Sequence, residues 1–201
     1  MKKAFSIIVL FLLIFQSSFA TTYSSDPQTF VQEMVNDAIN TLSSKNLTDE
    51  EKANFIENLA IDNVDINALG LYTLGELRKS ADKANLERYQ RTFEKYFLKS
   101  LTSRLTDYSS NKFEVISSEK KSSNYTIVKS KIGKSENQPE IKIDWRIYTK
   151  NPEKPLIRDL IVEGLSLART QKEEFASVIE SNDGDVTKLF TTLKKFVANN
   201  N

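Results

Sequence analysis

The sequence predicts an α+β protein in which a four-stranded antiparallel sheet is packed with helices. Three observations point there. Apolar residues recur every three or four positions from Asp26 to Tyr108. Between Lys112 and Val162 the period drops to two, and after Gly164 it returns to the helical spacing. The connections between the alternating segments are polar and short enough for hairpins. No internal repeat or linker divides the chain after residue 20, so residues 21–201 are expected to form a single domain.

The helices come with start signals. Asp26 can cap and Pro27 suits the first helical position; Phe30, Val31, Met34, Val35, Ala38, Ile39 and Leu42 then share one face. Thr48 and Glu51 form a capping box ahead of Phe55, Ile56 and Leu59. Residues 61–81 are irregular, with two Gly and several Asn and Asp, and predict short helices joined by turns. Residues 82–108 predict the longest helix, with Leu86, Tyr89, Phe93, Tyr96, Phe97, Leu101, Leu105 and Tyr108 in a stripe. Core packing is the ordinary reason for such a stripe.

The strands follow. Lys112 to Glu119 puts Phe113 and Val115 on one face, and Asn124 to Ile132 is rich in β-branched residues. From Glu140 to Tyr148, Ile141, Ile143, Trp145 and Ile147 alternate with Lys142, Asp144, Arg146 and Tyr148. Asp144 and Arg146 are therefore expected on a wet face, and helices must cover the Ile/Trp face. Leu156 to Val162 is the fourth strand; SSEKKSS, KSENQ and KNPEK are its connections. Thr170 and Glu173 suggest another capping box, before Phe175, Val178 and Ile179. Asn182-Asp183-Gly184 turns the chain, and Asp185 caps a last helix carrying Leu189, Phe190, Leu193 and Phe196.

The first twenty residues read as a secretory signal peptide. Lys2 and Lys3 precede a hydrocarbon run from Ala4 to Phe15 broken only by Ser6, and Ser18-Phe19-Ala20 supplies small residues for cleavage after Ala20. A membrane span needs about 20 apolar residues, more than this run offers. Loss of these 20 residues and their two lysines takes the 201-residue chain to 181 residues and its net charge from +1 to −1. An exported chain without cysteine fits a bacterial periplasm.

Composition excludes several chemistries. With no His and no Cys there is no Ser-His-Asp triad, no cysteine nucleophile, no His/Cys zinc site and no disulfide. A charge near zero gives no cationic field for nucleic acid. Residues 182–185 lack the alternating oxygens of a calcium loop, and Asp62 and Asp65 sit in a connection where turn and cap roles are commoner than catalysis. No metal, cofactor or catalytic set is expected. What remains is apolar surface. The apolar faces either close into a filled core or hold a cavity, and periodicity does not separate the two.

Two segments carry a resemblance. YTLGELRKSA (72–81), followed by Tyr89, Phe93, Phe97 and Leu101, resembles the leucine-glycine turn and aromatic helix of the toluene-tolerance (MlaC) family of periplasmic phospholipid-binding proteins. IRDLIVEGLSLARTQKEEF (157–175) resembles that family's strand and following helix through Asp159, Glu163, Gly164, Ser166, Leu167 and Phe175. DPQTFVQEMVNDAINTL resembles its opening helix. The chain departs from the family pattern where Leu77-Arg78, Leu156 and Lys172 stand in place of Trp, Trp and Arg.

The resemblance implies a fold like nuclear transport factor two: a curved antiparallel sheet and helices around an apolar, lipid-sized cavity. It implies a non-enzymatic phospholipid carrier between the outer and inner membranes that maintains outer-membrane lipid asymmetry. The implied partners are an outer-membrane lipoprotein complex and an inner-membrane ABC transporter with an MCE-domain protein; a monomer is expected. At ~0.8 kcal/mol per methylene, exposing two acyl tails costs on the order of 20 kcal/mol, so a shuttle needs an enclosing pocket rather than reactive groups. Phe93, Phe97, Leu101, Ile143, Trp145, Ile147, Leu69, Leu71, Tyr72 and Leu74 are the expected lining. Trp145 either anchors the rim or fills core. Two alternatives stand beside this reading: an exported binding or adaptor module with a filled core, and a hydrolase using only carboxylates.

Overall fold

Helix α1 (Pro27–Leu42) begins where Asp26 accepts a hydrogen bond from the Thr29 N–H at 2.9 Å, and it buries Phe30, Val31, Met34 and Leu42. Helix α2 (Asp49–Asn63) opens with the expected reciprocal cap: Thr48 Oγ1 accepts from the Glu51 N–H at 3.2 Å, and Glu51 Oε2 accepts from the Thr48 N–H at 2.7 Å. Residues 61–81 do form short helices, α3 (Ile66–Thr73) and α4 (Leu77–Ser80), after the end of α2. Helix α5 (Lys83–Leu105) starts behind Asp82, whose carboxylate accepts from the Asn85 N–H at 2.8 Å. This computed structural model describes residues 22–105, 113–133 and 140–200. The expected leader with its cleavage site, Tyr108, and the KSENQ connection lie outside the described residues.

Strands β1 (Phe113–Ser122), β2 (Tyr125–Ile132), β3 (Ile141–Tyr148), β4 (Leu156–Val162) and β5 (Leu165–Ser166) form one antiparallel sheet in chain order. The sheet has five strands rather than four. The fifth has only two residues, too short for a periodic signal. It folds back through Glu163 and Gly164, both left-handed (φ 48° and 83°), as a two-residue hairpin loop requires. Strand β1 also runs further than its sequence suggests, because most of the SSEKKSS segment pairs with β2. As an edge strand its end is exposed on both faces, so its side chains do not alternate.

Helix α6 (Leu167–Glu180) starts four residues earlier than the Thr170–Glu173 box implies. Ser166, the last residue of β5, is the cap: its Oγ accepts from the Arg169 N–H at 3.1 Å. Thr170 instead donates its hydroxyl to the Ser166 carbonyl at 3.1 Å. Helix α7 (Val186–Asn199) follows a turn at Asp183 and Gly184 and is capped by Asp185, as the sequence suggests.

The apolar residues form two separate cores. One lies among helices: Leu74, Tyr89, Phe93, Phe175, Ile179, Leu189, Phe190 and Leu193. The other joins α1 to one face of the sheet: Phe30, Val31, Met34, Val128, Trp145, Ile147 and Ile157. In this second core the Trp145 indole N–H donates to Ser130 Oγ at 2.8 Å, and the Ser130 hydroxyl donates to the Ile143 carbonyl at 3.0 Å. Among the described residues no helix is long and apolar enough to cross a membrane.

Candidate functional site

The face of the sheet turned away from α1 is left to α3. Between them lies an open cavity of about 780 Å³, within the usual range for small-molecule sites. Ala68, Leu69 and Tyr72 of α3 and Ala168 of α6 form one side. The sheet side comprises Tyr125, Ile127 and Lys129 of β2, Asp144 and Arg146 of β3, and Arg158 and Ile161 of β4, with Lys121 and Ser122 at the end of β1.

A bulge in β4 fastens the two sides together. Arg146 pairs with Asp159 and Ile147 with Ile157, leaving Arg158 as the extra residue between them. The Arg158 guanidinium lies 3.4 Å from the centroid of the Tyr148 ring, and its Nη1 donates to the Tyr125 hydroxyl at 2.8 Å. Its Nε and Nη2 reach Asp65 Oδ2 at 2.8 and 2.7 Å. Asp65 in turn caps α3, accepting from the Ala68 N–H at 3.1 Å, and donates its own N–H to the Ile157 carbonyl at 2.9 Å. One arginine thus ties the start of α3 to three strands.

Asp159 fixes the neighbouring helix. It is 2 % exposed, accepts from Ser166 Oγ at 2.6 Å and the Ala168 N–H at 3.0 Å, and faces Arg146 Nη1 at 3.4 Å. These bonds hold the start of α6, with Ala168, against the cavity. They give a structural role to the Asp159 and Ser166 positions that stood out in the sequence.

The ten residues expected to line a pocket are distributed unevenly. Leu69 and Tyr72 line the cavity. Leu74 and Phe93 are buried in the helical core, and Phe97 packs against it. Leu71 on α3 and Leu101 on α5 are half-buried and do not reach the cavity. Trp145 and Ile147 are buried under α1 and Ile143 packs with them, on the opposite face of the sheet. The reason is competition. Phe175 and Phe190 take up the aromatic stripe of α5, and α1 takes up the Ile/Trp face. Asp144 and Arg146 lie opposite the Ile/Trp face, as expected, and that face is the wall of the open cavity, where the Arg146 side chain keeps 43 % of its exposure. The cavity is accordingly amphipathic rather than apolar throughout.

The residues that sequence reasoning missed are chiefly Tyr125, Ile127, Lys129, Arg158 and Ile161. The one sequence signal on this face of β3 is Tyr148, a large aromatic in line with Lys142, Asp144 and Arg146. Among the described residues no cluster of His, Cys, Asp and Glu could hold a metal ion.

An antiparallel meander with one face filled and a helix-walled, amphipathic hollow of small-molecule size on the other defines an α+β fold with an open pocket. Its family is specific: the chain belongs to the MlaC protein family, whose model matches residues 32–195. Among solved structures it is similar to the phospholipid-binding protein from Ralstonia solanacearum, determined in complex with a phospholipid. That match has a TM-score of 0.69 and 20 % identity, and covers 84 % of this chain and 95 % of the other. At that identity the likeness speaks to the fold. A search of curated proteins returns no match.

Proposed function

We propose that this chain is a phospholipid carrier that holds lipid in the cavity between α3 and the outer face of the sheet. The carrying observation is the 780 Å³ hollow lying between two independently filled cores. Each core is complete without it, so the hollow need not collapse to stabilise either one. Family membership and the phospholipid held by the Ralstonia protein supply the ligand class. Leu69, Tyr72, Ile127 and Ile161 would meet acyl chain, and no side chain is asked to react.

The wider reading follows the family. The leader directs the chain to the periplasm, where it shuttles lipid between an outer-membrane lipoprotein complex and an inner-membrane ABC transporter with an MCE-domain protein. That traffic maintains outer-membrane lipid asymmetry. Native mass spectrometry of the protein purified from the periplasm tests the reading. A co-purified mass in the phospholipid range supports it. An empty chain that also takes up nothing from phospholipid vesicles overturns it in favour of a binding module without cargo.

A further inference from the structure

We propose that the outer face of α5, with the neighbouring face of α7, is a docking surface for an anionic phospholipid bilayer. The inference goes beyond the carrier reading and does not depend on it.

Arg88, Arg91, Lys95 and Lys99 recur on α5 at helical spacing and form one stripe, about 16 Å long at 1.5 Å per residue. The first three are exposed and Lys99 is half-buried. Phe93, which meets α3 at Gly70, points the opposite way, so the stripe faces away from α3 and from the cavity beyond it. Helix α7 broadens the stripe. The Arg88 guanidinium lies 5.2 Å from the centroid of the Phe190 ring, and Lys194 stands one turn beyond Phe190 on a helix that carries three lysines and no acid.

Among the described residues none of these cations enters a salt bridge. Arg88 Nη2 donates to Asn85 Oδ1 at 2.9 Å, a neutral partner. The acids of α5 are engaged elsewhere: Glu87 faces Lys83 at 3.9 Å, and Glu94 lines a separate hollow with Asp62. A net charge near zero for the whole chain conceals this one-sided cationic face.

The stripe weakens the helix that carries it, because Arg91–Lys95 and Lys95–Lys99 are like charges at i,i+4. An anionic surface turns that repulsion into attraction. Composition selects the kind of surface. Protein interfaces centre on desolvated aromatic or aliphatic anchors and are poor in lysine. Among the described residues the large exposed hydrophobics are Ile61, Tyr72, Ile116, Leu165 and Leu167, none of them on α5 or α7. A row of lysine and arginine without an anchor suits a diffuse field of phosphate head groups.

The test is co-sedimentation of the protein purified from the periplasm with two kinds of vesicle, phosphatidylcholine alone and phosphatidylcholine with an equal part of phosphatidylglycerol. At low ionic strength about tenfold more protein is expected on the anionic vesicles. That preference is expected to vanish in about 1 M salt, where the screening length is ~3 Å. The variant Arg91→Gln, Lys95→Gln, Lys99→Gln is expected to lose the preference, and Arg91→Lys, Lys95→Arg, Lys99→Arg to keep it. Lys45→Gln, Lys150→Gln, Lys154→Gln removes the same charge from exposed connections and is expected to keep it too. Equal binding of the wild type to both vesicles overturns the proposal. So does a glutamine stripe variant with the wild-type preference, or a charge-keeping or connection variant without it. Lipid taken into the protein is quantified in the same samples by mass spectrometry. Uptake without preferential sedimentation overturns the docking surface and leaves the carrier reading standing; preferential sedimentation without uptake does the reverse.

Discussion

Arg158 and Asp65 face each other across the wall of the cavity, with Nη2 and Nε of the arginine 2.7 and 2.8 Å from one carboxylate oxygen. The pair joins the sheet to the helix that closes the hollow. Its members retain only 24 % and 19 % of their side-chain exposure, so solvent screens the contact weakly.

Removing one partner strands the other in a half-buried site. Asp65→Ala is expected to lower stability by about 2–3 kcal/mol, because it also removes the cap of α3. Arg158→Lys is expected to recover little, since an ammonium cannot reproduce the two-pronged contact and the flat stack on Tyr148. Urea denaturation of both variants at neutral pH checks this.

Gly70 sits on the inner side of α3, where a Cβ would lie 2.9 Å from Cδ1 of Phe93. Phe93 stacks on Tyr89 and Phe97 and meets Phe175 edge-on, so its ring retreats only by disturbing these contacts. Gly70→Ala is expected to cost about 1–3 kcal/mol despite the better helix propensity of alanine. A urea midpoint at or above that of the wild type would show that α3 shifts freely.

Trp145, the one tryptophan of the chain, reports which face of the sheet receives ligand. It lies under α1 with its indole N–H on Ser130, on the face opposite the cavity. Its fluorescence maximum is expected to stay unchanged when lipid is loaded from vesicles. Trp145→Phe is expected to lower stability by about 1–3 kcal/mol through the lost hydrogen bond and packing. A clear spectral shift on loading would move the ligand to the α1 face.

Acid stability depends on the helix caps. The Thr29 N–H holds the Asp26 carboxyl below the usual carboxylate range, the Asn85 N–H does the same for Asp82, and the Thr187 hydroxyl and N–H for Asp185. A depressed folded value means that the stabilisation is present above the ordinary carboxylate range and is lost as pH falls through the lowered value. The thermal midpoint is therefore expected to drop below about pH 4. Asp26→Asn is expected to flatten part of that drop, because Asn caps without titrating. An unchanged profile in this variant would remove Asp26 from the set.

The helices were largely legible because their signals are local. Asp26-Pro27 and Thr48–Glu51 name their own helix starts, and the alternation from Ile141 to Tyr148 names its strand. The cavity was not legible because it depends on which apolar face finds which partner. Nothing near Trp145 in sequence says that α1 will cover it, and nothing near Phe93 says that Phe175 and Phe190 will fill the space around it. Arg158 faces α3 only because a bulge displaces it, and Tyr125 joins it only through the register of β2 against β3. Strand β5 escaped notice because two residues carry no period. Leu69 and Tyr72 were found from the resemblance, whose turn segment adjoins α3.

The location of the acyl chains is the centre of the account, and photocrosslinking tests it most directly. The protein would be loaded from vesicles with a phospholipid bearing a photoreactive group along one acyl chain, irradiated, digested and mapped. Adducts are expected on α3 and on the outer face of β2 and β4, at Leu69, Tyr72, Ile127 and Ile161. Adducts concentrated at Ile143, Trp145 and Ile147, under α1, would contradict it.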